Sequence, residues 1–245
     1  MLCYNDRETV EESVRSVLQF AQRNSGEVIV VDNESRDGSW ETLEMLSREG
    51  VTVLRKRSSR GSARSHAFLN STGEFVLSHM DCDDIFSPDG LSHILSRYHA
   101  GHEREMLMTR KRNQPERSNI TVAPRDLIEE LGGWRDVNWG EDWDLWNRAA
   151  RIARYVYMPY PTGSPPHLKI RVRSERETET LTKFMTRFQK FRDSARLGRP
   201  VFTRGERVSL GQHIPYWLAK ASVAVPFRRL APAPLPDFDD TVPSL

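Results

Sequence analysis

Over its first 160 residues the chain alternates short β-rich runs with amphipathic helical patterns, and this alternation constrains the fold more than any other feature. Strands separated by helical stretches build βαβ units, which call for a mostly parallel sheet with helices on both faces. Met1 to Tyr4 reads as a short strand. Thr9 and Glu12 have capping-box spacing, ahead of Val10, Val14, Val17, Leu18 and Ala21 at helical intervals. Glu27 to Val31 is a buried strand ending at Asp32. After a turn over Asn33 to Gly38, a helix runs to about Arg48, and Val51 to Leu54 is the next strand. A helix over Ser62 to Leu69 leads to a buried strand, Phe75 to Met80, which runs straight into Asp81-Cys82-Asp83-Asp84.

Past Pro88 the pattern predicts a helix to about His99, strands at Met106 to Thr109 and Asn119 to Ala123, and a helix from Pro124 to Leu131 stopped by Gly132-Gly133. Glu141 to Ile152 is helical, and Tyr155 to Met158 is the last strand. The prolines from Pro159 to Pro166 mark a boundary. Beyond it, Glu177 to Arg196 and Ile214 to Val225 read as amphipathic helices, and Ala231 to Leu245 as a disordered tail. The expected organisation is therefore 1–160 as the main domain, 161–230 as a basic helical extension and 231–245 as a tail.

Composition excludes several classes. At 245 residues, with 38% hydrophobic and 29% charged side chains, the chain can bury a core without staples. Cys3 and Cys82 are too few for a disulfide framework or a cysteine-rich zinc site, so both are expected to be thiols in a reducing compartment. The N-terminal segment has no basic-then-apolar secretion signal, and no run approaches a membrane span. The expected location is cytoplasmic, with peripheral contact at the membrane's cytoplasmic face. That contact follows from charge: residues 163–230 carry 15 basic against 5 acidic side chains, enough to meet an anionic surface, or equally to form a solvated helix face.

In an open α/β sheet, ligands bind outside the carboxyl ends of the strands, where the connections reverse direction. Tyr4-Asn5-Asp6, Asp32 and Asp81 to Asp84 all fall at such ends. Two carboxylates at i and i+2 can face one hard cation, and Mg2+ or Mn2+ typically completes its shell with substrate phosphate oxygens. A D-x-D triplet alone is a weak signal, since acidic turns are common. Its place after a buried strand strengthens it. His79 stays outside the ligand set, because strand alternation does not settle its direction.

The ordered motifs resemble glycosyltransferase family 2, the nucleotide-sugar transferases of the GT-A fold. The likeness rests on Tyr4-Asn5, on Val30-Val31-Asp32-Asn33-Glu34-Ser35-Arg36-Asp37-Gly38-Ser39, on Arg60-Gly61-Ser62-Ala63-Arg64, on Asp81-Cys82-Asp83-Asp84, and on Gly132-Gly133-Trp134 followed by Gly140-Glu141-Asp142-Trp143-Asp144-Leu145-Trp146. The resemblance implies a Rossmann-like GT-A domain and a role for each position. Asp32 would hydrogen-bond the nucleobase, Tyr4 would stack on it, and Arg64 would reach the base or diphosphate. Asp81 would hold the ribose and help place the metal, with Asp83 a direct ligand. Asp142, with Glu141 as the alternative, would be the general base for an inverting attack by an acceptor hydroxyl. Read from the residues alone, both are equally first-turn acids favoured by the helix dipole.

Trp139, Trp143 and Trp146 recur at helical spacing, so one face could present rings to an acceptor sugar, although core packing explains Trp146 better. Lys56, Arg57 and Arg60 are candidate diphosphate contacts or a solvated loop. Ser65 stands where relatives carry Asn, and no Q-x-x-R-W motif of processive synthases is present in 163–230, which favours single addition. The expected partners are a UDP- or GDP-sugar and a glycan or lipid-linked acceptor, without nucleic acid. A nucleotidyltransferase and a noncatalytic, anion-binding GT-A module are the rival readings.

Overall fold

A computed structural model describes residues 1–110, 120–159, 169–171 and 180–197. In chain order its elements are β1 (Leu2–Cys3), α1 (Val10–Arg23), β2 (Val28–Asp32), α2 (Ser39–Ser47), β3 (Val51–Arg55), α3 (Arg60–Leu69), β4 (Phe75–Ser78), β5 (Asp84–Phe86), α4 (Pro88–His99), β6 (Met106–Arg110), β7 (Ile120–Pro124), α5 (Arg125–Glu130), α6 (Glu141–Arg151), β8 (Tyr155–Pro159), β9 (Lys169–Arg171) and α7 (Thr180–Arg196).

One parallel set has the order β1-β2-β3, and a second set has the order β4-β7-β6-β8. A parallel bridge between Leu2 and Asp81 joins them, with Leu2 N donating to Met80 O at 3.1 Å and Cys82 N to Leu2 O at 2.8 Å. The sheet is parallel except at β7, which runs antiparallel to both β4 and β6. All five residues of β2 are buried, as a central strand covered on both faces must be. From β1 the chain moves outward through β2 and β3, then crosses back to β4 on the other side of β1. The reversal opens a crevice at the carboxyl ends of β1, β2 and β4.

Strand alternation divides the core. Leu107 and Val122 join α1, α2 and α4 in one cluster. Their neighbours Met106, Met108 and Ala123 join Trp134, Leu145 and Trp146 in the other.

The structure adds and corrects details. β4 stops at Ser78 rather than Met80, because His79 adopts a left-handed conformation (φ 67°) before the bridge at Asp81. Strand β5 was not expected from the sequence; it pairs antiparallel with β9. Thr9 occupies the N-cap position of α1, but its side chain makes no capping bond, so the predicted capping box does not form. Cys3, at the end of β1, and Cys82, in the turn before β5, are buried free thiols. Burial and a hydrogen bond with Cys3 raise the Cys82 pKa well above the usual thiol range. No described helix is long and apolar enough to cross a membrane. The predicted helix over 214–225, the tail over 231–245 and most of the proline segment lie outside the described residues.

Candidate active site

The crevice is a cleft of about 1330 Å3, lined on one side by Tyr4 to Thr9 with Asn33, Glu34, Arg36 and Asp37, along its floor by Asp81 and Asp83, and on the other side by Asn138 and Trp139. On the first side, loop backbone is held by short side chains. Asn5 N donates to Ser35 Oγ and Asp6 N to Ser39 Oγ, both at 2.9 Å. Tyr4 is 52% exposed at the cleft wall. Asp32 is fully buried at the end of β2. Its Oδ2 accepts from Ser35 N at 3.1 Å and lies 3.5 Å from Arg55 Nε. Its Oδ1 is buried without a hydrogen-bond partner among the described residues. A buried carboxylate oxygen left unpaired is costly and is suited to a donor brought by a ligand.

Asp81 and Asp83 line the floor of the cleft. Among the described residues no three His, Cys, Asp or Glu side chains converge as a complete metal cage. Two carboxylates lining one cleft nevertheless match a Mg2+ or Mn2+ ion that draws its remaining ligands from phosphate oxygens and water. His79 does not belong to this pair. Its Nδ1 is 2.9 Å from Thr121 Oγ1, and its Nε2 accepts from Trp134 Nε1 at 3.4 Å, inside the second core cluster.

The opposite wall depends on the start of α3. Ser59 caps that helix, accepting from Ser62 N at 3.1 Å. Arg60 N donates to Asn138 Oδ1 and Gly61 N to Val137 O, both at 3.0 Å. Gly61 is required there, since a Cβ would lie 1.8 Å from Arg135 O. This close seam brings the α6 carboxylates alongside the cleft. Arg60 extends into the cleft among Asp81, Glu141, Asp83 and Asp142, and their negative charges hold its guanidinium firmly protonated.

Glu141 and Asp142 begin α6, but their environments differ. Glu141 is 3% exposed, and burial together with the neighbouring Asp142 pushes its pKa to about 7, against the opposing pull of Arg64 and Arg60. Asp142 is half-buried, and its Oδ1 accepts from Trp143 N at 2.6 Å.

Arg64 lies between the floor and α6. It is 7% exposed and bridges Asp81 Oδ1 at 3.2 Å and Glu141 Oε1 at 3.4 Å, so it ties the two carboxylates together. The tryptophans also separate. Gly140 takes a left-handed conformation (φ 77°) just before α6, which puts Trp139 in the preceding loop, on the cleft rim. There its ring lies between Arg60 (5.8 Å to the ring centroid) and Lys190 (5.9 Å). Trp143 packs against the second core cluster, and Trp146 is buried with Nε1 donating to Thr121 Oγ1 at 2.9 Å. Arg57 lines the cleft.

Thr186 and Gln189 of α7 also line the cleft, which no sequence signal indicated. The amphipathic pattern of α7 showed only that one face is buried. The helix is fastened by Asp193, fully buried, whose Oδ2 accepts from Asn138 N at 2.9 Å.

The family model for glycosyl transferase family 2 matches residues 1–157. The chain belongs to glycosyltransferase family 2. This glycosyltransferase domain is 31% identical over 104 residues to dolichol-phosphate mannosyltransferase from Pyrococcus furiosus, covering 41% of the chain and 29% of that protein. The chain thus matches less than a third of that relative's length. Its fold is similar to that of the mannosyltransferase PcManGT from Pyrobaculum calidifontis in complex with GDP-Man and Mn2+, with TM-score 0.59 and 19% identity over 92% of this chain and 68% of that one. Glucosyl-3-phosphoglycerate synthase from Mycobacterium tuberculosis, in complex with Mn2+, UDP and phosphoglyceric acid, gives TM-score 0.59 and 16% identity over 81% and 77%. S. aureus TarS gives 0.60 and 17% over 89% and 46%. At these identities the likeness is one of fold.

Proposed function

We propose that the protein transfers a sugar from a UDP- or GDP-sugar to a hydroxyl of a glycan or lipid-linked acceptor, in a single, inverting addition assisted by Mn2+ or Mg2+. The observation that carries this reading is that Asp81 and Asp83 line the cleft with Arg60, whose guanidinium also feels the charges of Glu141 and Asp142 at the start of α6. Tyr4 would stack on the nucleobase and the free Oδ1 of Asp32 would accept its N–H. Asp81 and Asp83 would hold the divalent cation, which when bound neutralises charge building on the leaving nucleoside diphosphate. Arg60 and Arg57 would add positive charge beside the phosphates.

Asp142 would accept the proton of the acceptor hydroxyl as it attacks the anomeric carbon. Asp142 is the better base of the α6 pair, because Glu141 is buried against Arg64 and has less room to meet an acceptor. Trp139, Gln189 and Thr186 would border the acceptor, whereas Trp143, turned toward the core, would support the helix. The basic segment 163–230 would supply any contact with an anionic membrane, and sedimentation with anionic vesicles tests that part separately.

Calorimetric titration of UDP, GDP and their sugar conjugates, with and without Mn2+, tests the central reading. One nucleotide should bind in a metal-dependent way that Asp83→Asn abolishes. A folded protein that binds none of them would overturn it.

A further inference from the structure

Helix α1 presents a row of three hydroxyls to residues 82–86. Thr9 Oγ1 donates to Cys82 O at 2.7 Å, Ser13 Oγ to Asp84 O at 2.5 Å, and Ser16 Oγ accepts from Phe86 N at 3.1 Å. The match is geometric. Thr9 and Ser13 are four residues apart, about 6 Å along the helix, so one face reaches Cys82 O and Asp84 O on the two sides of the acidic turn.

These hydroxyls do little for their own helix. Serine and threonine are mediocre helix formers, and Thr9 at the N-cap leaves the helix uncapped. Thr9 and Ser13 are nevertheless buried, with their hydroxyls on carbonyl oxygens of the acidic turn. Those carbonyls belong to Cys82 and Asp84, the residues on either side of Asp83. Thr9 Oγ1 also lies 3.2 Å from Asp6 O, in the loop that forms the opposite wall of the cleft.

We propose that Thr9 and Ser13 are positioning residues of the donor site: by holding the carbonyls of the residues before and after Asp83, they fix the direction of its carboxylate toward the cation and donor diphosphate, and Thr9 also keeps the nucleobase loop in register with it. This rests on the reading of Asp83 as a metal-holding residue. Ser16, bonded at Phe86, lies further along the row and contributes to folding alone.

The test is calorimetry with Mn2+ and whichever of UDP or GDP the wild-type protein binds, on the full chain. Thr9→Val removes the hydroxyl at nearly constant shape, and Ser13→Ala removes the second; made singly, each stands if the other fails to fold. Each should weaken the metal-dependent affinity about tenfold, the effect of one lost buried hydrogen bond. Binding of the nucleotide without metal should change less than about twofold, by the same conversion. Thr9→Ser should retain wild-type behaviour, and Ser16→Ala should lower Tm with unchanged affinity. Unchanged metal-dependent affinity in a folded Thr9→Val or Ser13→Ala protein would overturn the proposal. An equal loss in Ser16→Ala would also overturn it, since the row would then be purely structural. If the wild type binds no nucleotide with Mn2+, the donor-site reading itself fails and the proposal falls with it.

Discussion

The two walls of the cleft position their carboxylates by different physics. On the donor side, Asp32 receives a backbone N–H beside Arg55, Asp81 shares Arg64 with the α6 side, and the main chain on both sides of Asp83 is held by neutral hydroxyls. On the α6 side, Glu141 and Asp144 are buried against guanidinium groups: Glu141 against Arg64, and Asp144 against Arg135 at 3.1 Å and Arg148 at 2.9 Å. Neutral hydrogen bonds set direction with little dependence on pH. Buried ion pairs exchange desolvation for attraction, so removing one partner leaves the other charge exposed to the full penalty. The main chain around Asp83 should therefore tolerate changes of pH and charge better than the α6 wall.

The comparison can be broken most directly at the proposed base. Asp142→Asn should reduce kcat by about 100- to 10,000-fold, the usual range for a lost general base, while nucleotide affinity measured by calorimetry stays at the wild-type level. Equal loss of binding and turnover would place Asp142 on the donor side. Next in size is Arg64→Met, which leaves Glu141 and Asp81 without their shared cation. Denaturant unfolding should show a loss of about 3 kcal/mol, as for other broken buried pairs. Gly61→Ala should cost about 1–3 kcal/mol by overpacking, because the new methyl meets backbone at Arg135 that cannot rotate away.

A smaller effect should separate the walls by pH. Glu141 has its folded pKa raised from the ordinary 4.5 to about 7, so the folded state binds that proton more tightly than the unfolded chain does. Its contribution to stability is complete below about pH 4.5, declines as pH rises toward 7 and is flat above that. Thermal unfolding of the metal-free protein across this window should show the decline, and Glu141→Gln should remove it. Smallest is Ser59→Ala at the α3 N-cap, expected to cost about 1 kcal/mol in the same assay.

Much of the framework was legible because its signals are local. Val28 to Val31 and Phe75 to Leu77 are continuous apolar runs, and acids placed shortly after them emerge at strand ends. The helix at Glu141 announced itself by its first-turn acids. What escaped the sequence depends on partners distant along the chain. The three residues of β5 have no pattern of their own and become a strand by pairing with β9. Thr9 and Glu12 satisfy the local rule for a capping box, yet Cys82 O, 73 positions away, takes the threonine hydroxyl. Trp139, Trp143 and Trp146 have helical spacing, but the left-handed turn at Gly140 interrupts the helix that would have aligned them. The family motif offered Arg64 to the donor, while two carboxylates within reach hold its guanidinium in place.

By itself the amino-acid sequence determined the α/β alternation, the family, and which acidic residues arrive at the carboxyl ends of β2 and β4, since hydrophobic period and strand length are properties of short segments. Tertiary structure alone decided which of those groups face open space and which face each other. It put Thr186 and Gln189 in the cleft wall, turned Trp143 to the core and raised the pKa of Glu141. The physical reason is that burial, charge pairing and hydrogen-bond competition depend on distances across the fold, and no spacing along one segment encodes them.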